Sequence, residues 1–140
     1  MQQDFTRKMA VVVRKDLPSW QAMNTVGHCS AYLGNKMREP FDTGDCFSTK
    51  GHLAIPRNSQ YPIIVLAADA DTLVPLVREV RESGVLFLIF VREMIEHNDD
   101  AELQSRLQAI PDSDLDVFGI GMFGDKRVVD ELTKKFALWK

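Results

Sequence analysis

Residues 8–34 read KMAVVVRKDLPSWQAMNTVGHCSAYLG, and this stretch is the most informative part of the sequence. Its early part, residues 9–13, is an unbroken apolar run, which is typical of a strand that helices cover on both faces of a sheet. After a short link, a helix is expected over residues 18–34, with Trp20, Met23 and Val26 as its apolar side chains. A buried strand followed at once by a helix indicates an α/β protein.

Three later apolar runs are also predicted to be strands, namely residues 63–68, 85–91 and 117–122. Together with the first strand they predict a three-layer α/β/α domain around a mixed, mostly parallel four-stranded sheet. A chain of 140 residues can bury about two thirds of its unfolded surface in one core. We therefore expect a single domain over residues 1–140.

Two further helices are indicated by apolar residues that repeat at three-four spacing. The first follows the second strand; we expect Thr72 to cap it, Pro75 to lie in its first turn and Gly84 to end it. Its apolar face consists of Leu73, Leu76, Val77 and Val80. The second helix begins at Asp125 and is expected to close the chain. Its apolar stripe consists of Val128, Val129, Leu132 and Phe136.

Two stretches interrupt this pattern. Residues 37–60 have no lasting period, so they predict a long excursion with one short strand near Leu53. Residues 93–114 contain a short helical pattern with Leu103 and Leu107, for which Asp99 or Asp100 is the expected cap.

The location of the protein is inferred from what the sequence lacks. Its longest apolar run, residues 85–91, is shorter than the roughly 20 residues that span a bilayer, so no membrane association is expected. The N-terminus is not followed by the apolar region of a signal peptide. These observations predict a cytoplasmic protein.

The cysteines and histidines do not indicate a metal site. Cys29 and Cys46 are expected to stay reduced in a cytoplasmic protein. There is no CxxC or HxxxH pair, and His28, His52 and His97 have no spacing that presets a tetrahedral zinc site. We predict neither a metal nor a cofactor.

Two short motifs are interpreted structurally. Gly119, Gly121 and Gly124 form a GxGxxG, but a dinucleotide site also needs a strand and an acidic residue about 20 positions later, and only 16 residues follow. We expect these glycines to allow close packing of the strand. The Asp-Thr-Gly triplet at residues 42–44 is interpreted as a turn.

The charge of the chain limits the kinds of partner that it can bind. The net charge is −3, and residues 93–116 contain eight carboxylates against one base, Arg106. We interpret this segment as a solvated acidic rim. Since nucleic-acid affinity rests on neutralising phosphates, the charge disfavours tRNA as a partner.

The order of several segments carries a family resemblance. A strand ending VVVR (residues 11–14), the link KDL (15–17) and a helix with VGH (26–28) open the chain, and GIG (119–121) lies in its last long strand. This pattern resembles the type II peptidyl-tRNA hydrolases. Residues 17–24, LPSWQAMN, resemble an uncharacterised bacterial branch of that superfamily, a domain of unknown function. The resemblance implies the three-layer fold and an ester-hydrolase site.

The site implied by the resemblance begins on the first helix. In the hydrolases a lysine lies seven residues before a histidine, and a glutamine lies three before it. Here the histidine matches His28, the lysine position holds Gln21 and the glutamine position holds Thr25. Asn24 belongs to the same polar helix face.

The other half of the implied site follows the third strand. The family has Arg-Asp there, with a threonine four residues beyond the aspartate; this chain has Arg92, Glu93 and His97. The resemblance implies catalytic positions at Glu93, which would orient water, and at Gln21. It implies binding positions at Asn24, Thr25, His28, Arg92 and His97.

The differences between this sequence and the hydrolase pattern determine which function we expect. A neutral Gln21 donates a hydrogen bond worth roughly 1 kcal/mol, against about 1.5 to 3 for a charged donor. We therefore expect a peptidyl-tRNA hydrolase-like protein that binds a small ligand or protein in a cleft between the first helix and the end of the third strand. The first alternative is an altered hydrolase of the peptidyl or aminoacyl ester of tRNA.

The second alternative is a dimeric interaction module, and a homodimer is expected. It would use exposed aromatic residues or the small residues Gly27, Ser30, Ala31 and Gly34. A structural interpretation also remains open, in which the helix residues form a polar face, Trp20 is a core or interface anchor, and Arg92 and Glu93 form a surface ion pair.

Overall fold

The predicted strand–helix pair opens the fold as β1 (Arg7–Arg14) and α1 (Ser19–Lys36). The structure is a computed structural model and describes residues 3–38 and 46–140. The later elements, in chain order, are β2 (Phe47–Ser48), β3 (Ala54–Ile55), β4 (Ile63–Ala68), α2 (Ala70–Ser83), β5 (Leu86–Val91), α3 (Glu93–Glu96), α4 (Asp100–Gln108), a 3-10 turn (Asp112–Asp114), β6 (Val117–Asp125), α5 (Lys126–Thr133) and β7 (Ala137–Leu138).

The main sheet has the strand order β5-β6-β1-β4-β7. Within the described parts of the chain it has five strands, so the expected count of four was too low. Strands β1, β4 and β5 run in one direction, but of the described pairs only β1–β4 is parallel, because the antiparallel β6 lies between β5 and β1. The sheet is mixed, as expected, but the expectation that it is mostly parallel was wrong. The chain leaves β5 and re-enters β6 at the same end of the sheet, which makes that pair antiparallel.

Helices cover both faces of this sheet, as the sequence predicted. Helix α1 packs across β5, β6 and β1, where Val11 and Val13 form part of the core. Helices α2 and α5 pack on the opposite face against Ala10 and Val12. Alternate residues of β1 therefore serve two cores, which explains its unbroken apolar run.

The glycines of β6 bring α1 unusually close to the sheet. A Cβ atom added to Gly119 would lie 2.6 Å from Thr25 Cγ2 and 2.9 Å from the Val12 carbonyl oxygen. One added to Gly121 would lie 2.7 Å from Cys29 Cβ. The prediction that these glycines allow close packing is confirmed.

Helix α2 begins earlier than expected, whereas it ends where expected. The helix begins at Ala70 with Asp69 as its N-cap residue, so Pro75 lies in the second turn rather than the first. Thr72 does not cap the helix; its hydroxyl donates to the Asp69 carbonyl oxygen at 2.6 Å. The end at Gly84 is confirmed, with a left-handed φ of 77°.

The other local predictions are partly confirmed. Asp99 caps α4 by accepting from the Glu102 backbone N–H at 2.9 Å, and Asp125 caps α5. The last helix does not close the chain, because β7 follows it and pairs with β4. The strand expected near Leu53 is one half of a β2–β3 hairpin. The triplet at residues 42–44 lies outside the described residues.

Candidate functional site

Three charged side chains meet at the end of the sheet where β1 and β5 finish and β6 begins. Asp116 accepts a hydrogen bond from Arg14 Nη1 through one carboxylate oxygen and pairs with Arg92 Nη2 through the other. A carboxylate held by two guanidinium groups is a strong charge-assisted arrangement. We call these three residues the Arg14–Asp116–Arg92 cluster.

The two arginines of this cluster differ in exposure. Arg14 is largely buried: its guanidinium carbon lies 5.0 Å from the centre of the Phe118 ring, and its Nε is 2.8 Å from Asp16 Oδ1. The Arg92 side chain, in contrast, is 49% exposed. Arg14 is therefore fixed in the fold, whereas Arg92 offers guanidinium donors to a molecule in solution.

Glu93 follows Arg92 directly and begins α3. Its Oε2 atom is buried and, among the described residues, has no hydrogen-bond partner. A buried carboxylate oxygen without a donor is costly to fold, so it is a group whose role calls for explanation.

Helix α1 brings its polar face to the same end of the sheet. Gln21, Asn24 and His28 share this face because they are spaced by three and four residues. The His28 ring stacks on Phe90 of β5, with ring centroids 5.0 Å apart and an interplanar angle of 15°. This contact places the face beside the strand that ends immediately before Arg92.

Thr25 and His97 are held by structural contacts. Thr25 is fully buried; its hydroxyl donates to the Gln21 carbonyl oxygen at 2.8 Å, and its methyl group faces Gly119. His97 Nδ1 lies 3.2 Å from Glu102 Oε1 of α4. The structure thus places Thr25 in the α1–β6 packing and His97 against α4.

Sequence reasoning missed Arg14 and Asp116. The position of Arg14 in the sequence could have indicated a site residue, because Arg14 ends a buried strand at the sheet edge where α/β proteins place ligands. Asp116 was counted in the solvated acidic rim, but it is the shared partner of two arginines. The interpretation of residues 93–116 as uniformly solvated acid is corrected accordingly.

The described residues offer little support for other site chemistries. No group of three or more His, Cys, Asp and Glu side chains among them is arranged to hold a metal ion. Burial raises the pKa of the Cys29 thiol to about 12, so this thiol is not an activated nucleophile. None of the helices in these parts of the chain has the length and apolar character needed to cross a bilayer.

Comparison with known proteins gives a fold and a family. A solved structure of a protein of unknown function from Agrobacterium tumefaciens strain C58 is similar, with a TM-score of 0.82 and 23% identity over 98% of this chain and 100% of that chain. No match was found among curated proteins. The family described as "Protein of unknown function (DUF2000)" matches residues 7–140. The chain therefore belongs to this DUF2000 family.

Proposed function

We propose that this protein binds a small zwitterionic ligand, such as an amino acid or the end of a peptide, between α1 and the end of β5. The observation that carries this proposal is the buried, unpartnered Oε2 of Glu93. It lies one residue after Arg92, whose guanidinium is half exposed. Arg92 thus offers donors for an anion, and the neighbouring Glu93 carboxylate, whose Oε2 is closed to solvent in this structure, would turn outward to accept an N–H group from the ligand.

The chemistry of these two side chains defines the ligand. A carboxylate accepts hydrogen bonds and prefers an ammonium or amide donor, whereas a guanidinium binds a carboxylate in a planar, two-pronged manner. A zwitterion carries both complementary groups within a few bonds. Asn24, on the same α1 face as Gln21 and His28, is exposed and would supply a further hydrogen-bonding group.

Binding without hydrolysis is favoured by Gln21. At the position where the resembling hydrolases have a lysine, this side chain has no charge to stabilise a developing oxyanion or a nearby phosphate. The exposed acids Glu96 and Asp100, close behind Glu93 in the chain, also oppose a polyanionic substrate.

A second candidate is hydrolysis of the peptidyl or aminoacyl ester of tRNA. It is favoured by the resemblance to the type II peptidyl-tRNA hydrolases and by the same Glu93 oxygen, which would accept a proton from an attacking water. In that reaction the water oxygen bonds to the ester carbonyl carbon and the ribose oxygen leaves with a proton.

An NMR titration with the dipeptide alanyl-alanine tests the binding proposal. We expect saturable shifts of the backbone amides of Arg92 and Glu93. N-acetylation or C-terminal amidation of the dipeptide should weaken binding about tenfold each, since each removes one charge-assisted contact. Glu93→Gln should weaken it similarly, whereas the matched control Glu96→Gln, in the same short helix, should not. Absence of saturable shifts would contradict the proposal.

A hydrolysis assay with N-acetylaminoacyl-tRNA at low salt separates the two candidates. The binding proposal predicts no turnover by the wild-type protein. Turnover that disappears in Glu93→Ala would replace it with the hydrolase. Comparison with Gln21→Lys shows whether restoring the cation is enough to restore activity.

A further inference from the structure

We propose that the protein forms a symmetric homodimer through an apolar surface beside α1, made of Trp20, Met23, Ile63, Val65 and Trp139. We call it the α1–β4 surface. Arg92 and Glu93 are not part of this surface, but the groove along α1 that Trp20 and Met23 line also includes Asn24 and His28 of the candidate site.

The surface exists because α1 covers only part of its side of the sheet. The helix packs mainly on β5, β6 and β1 rather than on β4. Alternate residues of β4 point to opposite faces, so Ile64 and Leu66 enter the core under α2 and α5. Ile63 and Val65 point to the α1 side, where Ile63 is exposed and Val65 is partly buried against the core under α1.

The C-terminal residues complete the surface. The backbone N–H of Trp139 donates to the Val65 carbonyl oxygen at 3.0 Å, which holds the chain end against β4. The side chains of Trp139, Val65 and Met23 together line one cavity. Trp20 and Met23 lie one helical turn apart and line the adjoining groove along α1.

Several side chains of the α1–β4 surface are large, apolar and exposed, which indicates that a partner covers them. Trp20 is 56% exposed, Met23 68%, Ile63 45% and Trp139 37%. Single exposed apolar residues are ordinary, but contiguous ones mark interaction sites. Both tryptophans of the chain lie here, and tryptophan is enriched at the energetic centres of interfaces.

The available area matches what a dimer requires. With roughly 200 Å² for a fully exposed large side chain, the four residues together present about 400 Å² of apolar surface. A standard interface buries about 800 Å² per partner, of which about 57% is apolar. The α1–β4 surface supplies nearly all of that apolar share.

The shape of the α1–β4 surface favours a second copy of this chain as its partner. A two-fold interface must be self-complementary, because the same patch meets itself. This surface contains a cavity of about 250 Å³ and, next to it, the projecting Trp20. The cavity is lined by Val13, Ala22, Met23, Val26, Val65 and Trp139, with no charged side chain among these described residues. Trp20 of each copy would enter the cavity of the other.

Sedimentation over a range of protein concentrations tests this proposal. We expect the mass to double from that of one 15.9 kDa chain as concentration rises. The tryptophan emission should shift to shorter wavelength in parallel, since both tryptophans report on this surface and become buried. Trp20→Glu should raise the dimer dissociation constant about thirtyfold or more.

The matched control is Leu53→Glu, which introduces the same charge at a residue that is 64% exposed in the β2–β3 hairpin. It should leave the dimer intact. The milder Met23→Ser should also weaken the dimer, and circular dichroism should show that each variant is folded. A single-chain mass at every concentration would overturn the proposal, as would a dimer unaffected by Trp20→Glu and Met23→Ser.

Discussion

Asp116 accepts a hydrogen bond from Arg14, which ends β1 102 residues earlier in the chain. This contact ties the first strand to the start of β6, and the second oxygen of Asp116 extends it to Arg92 after β5. The three strands that form the candidate site are therefore joined at one carboxylate. The proposed ligand site and the stability of this end of the sheet therefore involve the same carboxylate.

Replacing Asp116 should be costly. Asp116→Ala would leave Arg14, a largely buried cation, without its main partner, and we expect a loss of about 2–4 kcal/mol in the free energy of unfolding. Urea denaturation measures this loss. The matched control is Asp114→Ala, an exposed acid two residues earlier, which should change stability by less than about 0.5 kcal/mol. Equal effects of the two variants would contradict the role assigned to Asp116.

Replacing each of two glycines by alanine should change the stability of the protein in opposite directions. Gly119→Ala places a methyl group 2.9 Å from the Val12 carbonyl oxygen, which cannot rotate away, so we expect a loss of about 1–3 kcal/mol. Gly27→Ala lies in α1 with no atom within 4 Å of the new Cβ, and should stabilise the helix by about 0.5–1 kcal/mol. Urea denaturation midpoints of both variants test the pair. A stabilising Gly119→Ala would show that α1 does not pack on β6 as described.

The two thiols should differ in reactivity. Cys29 is buried and its pKa is raised to about 12, so at pH 8 it is protonated and shielded. Cys46 is exposed. An aromatic disulfide reagent should therefore react quickly with one thiol of the folded protein and with the second only after denaturation. In Cys46→Ser the fast phase should vanish; a fast phase that persists would contradict the burial of Cys29.

At acid pH the protein should lose the contribution that ionised Asp130 makes to its stability. Hydrogen bonds from Lys126 and Lys8 hold the pKa of this carboxyl below its ordinary value of 3.8. A lowered folded-state pKa stabilises the protein above the unfolded-state pKa, and the gain is lost as pH falls through the folded-state value. Since Asp130 is partly exposed, screening limits the effect to less than about 1 kcal/mol.

The measurement for Asp130 is the melting temperature against pH. Asp130→Asn should melt below the wild-type protein at pH 6, and the two curves should converge below pH 3.8. Asp125→Asn can serve as a comparison, because Asp125 caps α5 by accepting a hydrogen bond from the Arg127 backbone N–H. A difference between wild type and Asp130→Asn that is independent of pH would indicate a packing effect instead.

About half of the candidate site was accessible from the sequence. Arg92 and Glu93 follow a clear apolar strand, and Gln21, Asn24 and His28 follow helical spacing, so local patterns place them at element ends and on one face. Arg14 and Asp116 became site residues only through a contact between distant segments. No local period reports such a contact.

The amino-acid sequence alone predicts the long strands, the main helices, the buried faces of α2 and α5, and close packing at the β6 glycines. These follow from side-chain periodicity and steric size, which act over a few residues. The tertiary structure was needed to show that α1 buries Thr25 and exposes Trp20 and Met23, that β6 lies between β5 and β1, that β7 extends the sheet, and that Met23 and Trp139 line one cavity. Strand order and long-range contacts depend on which pairings bury the most apolar surface in the whole chain, and that balance is a property of the assembled fold.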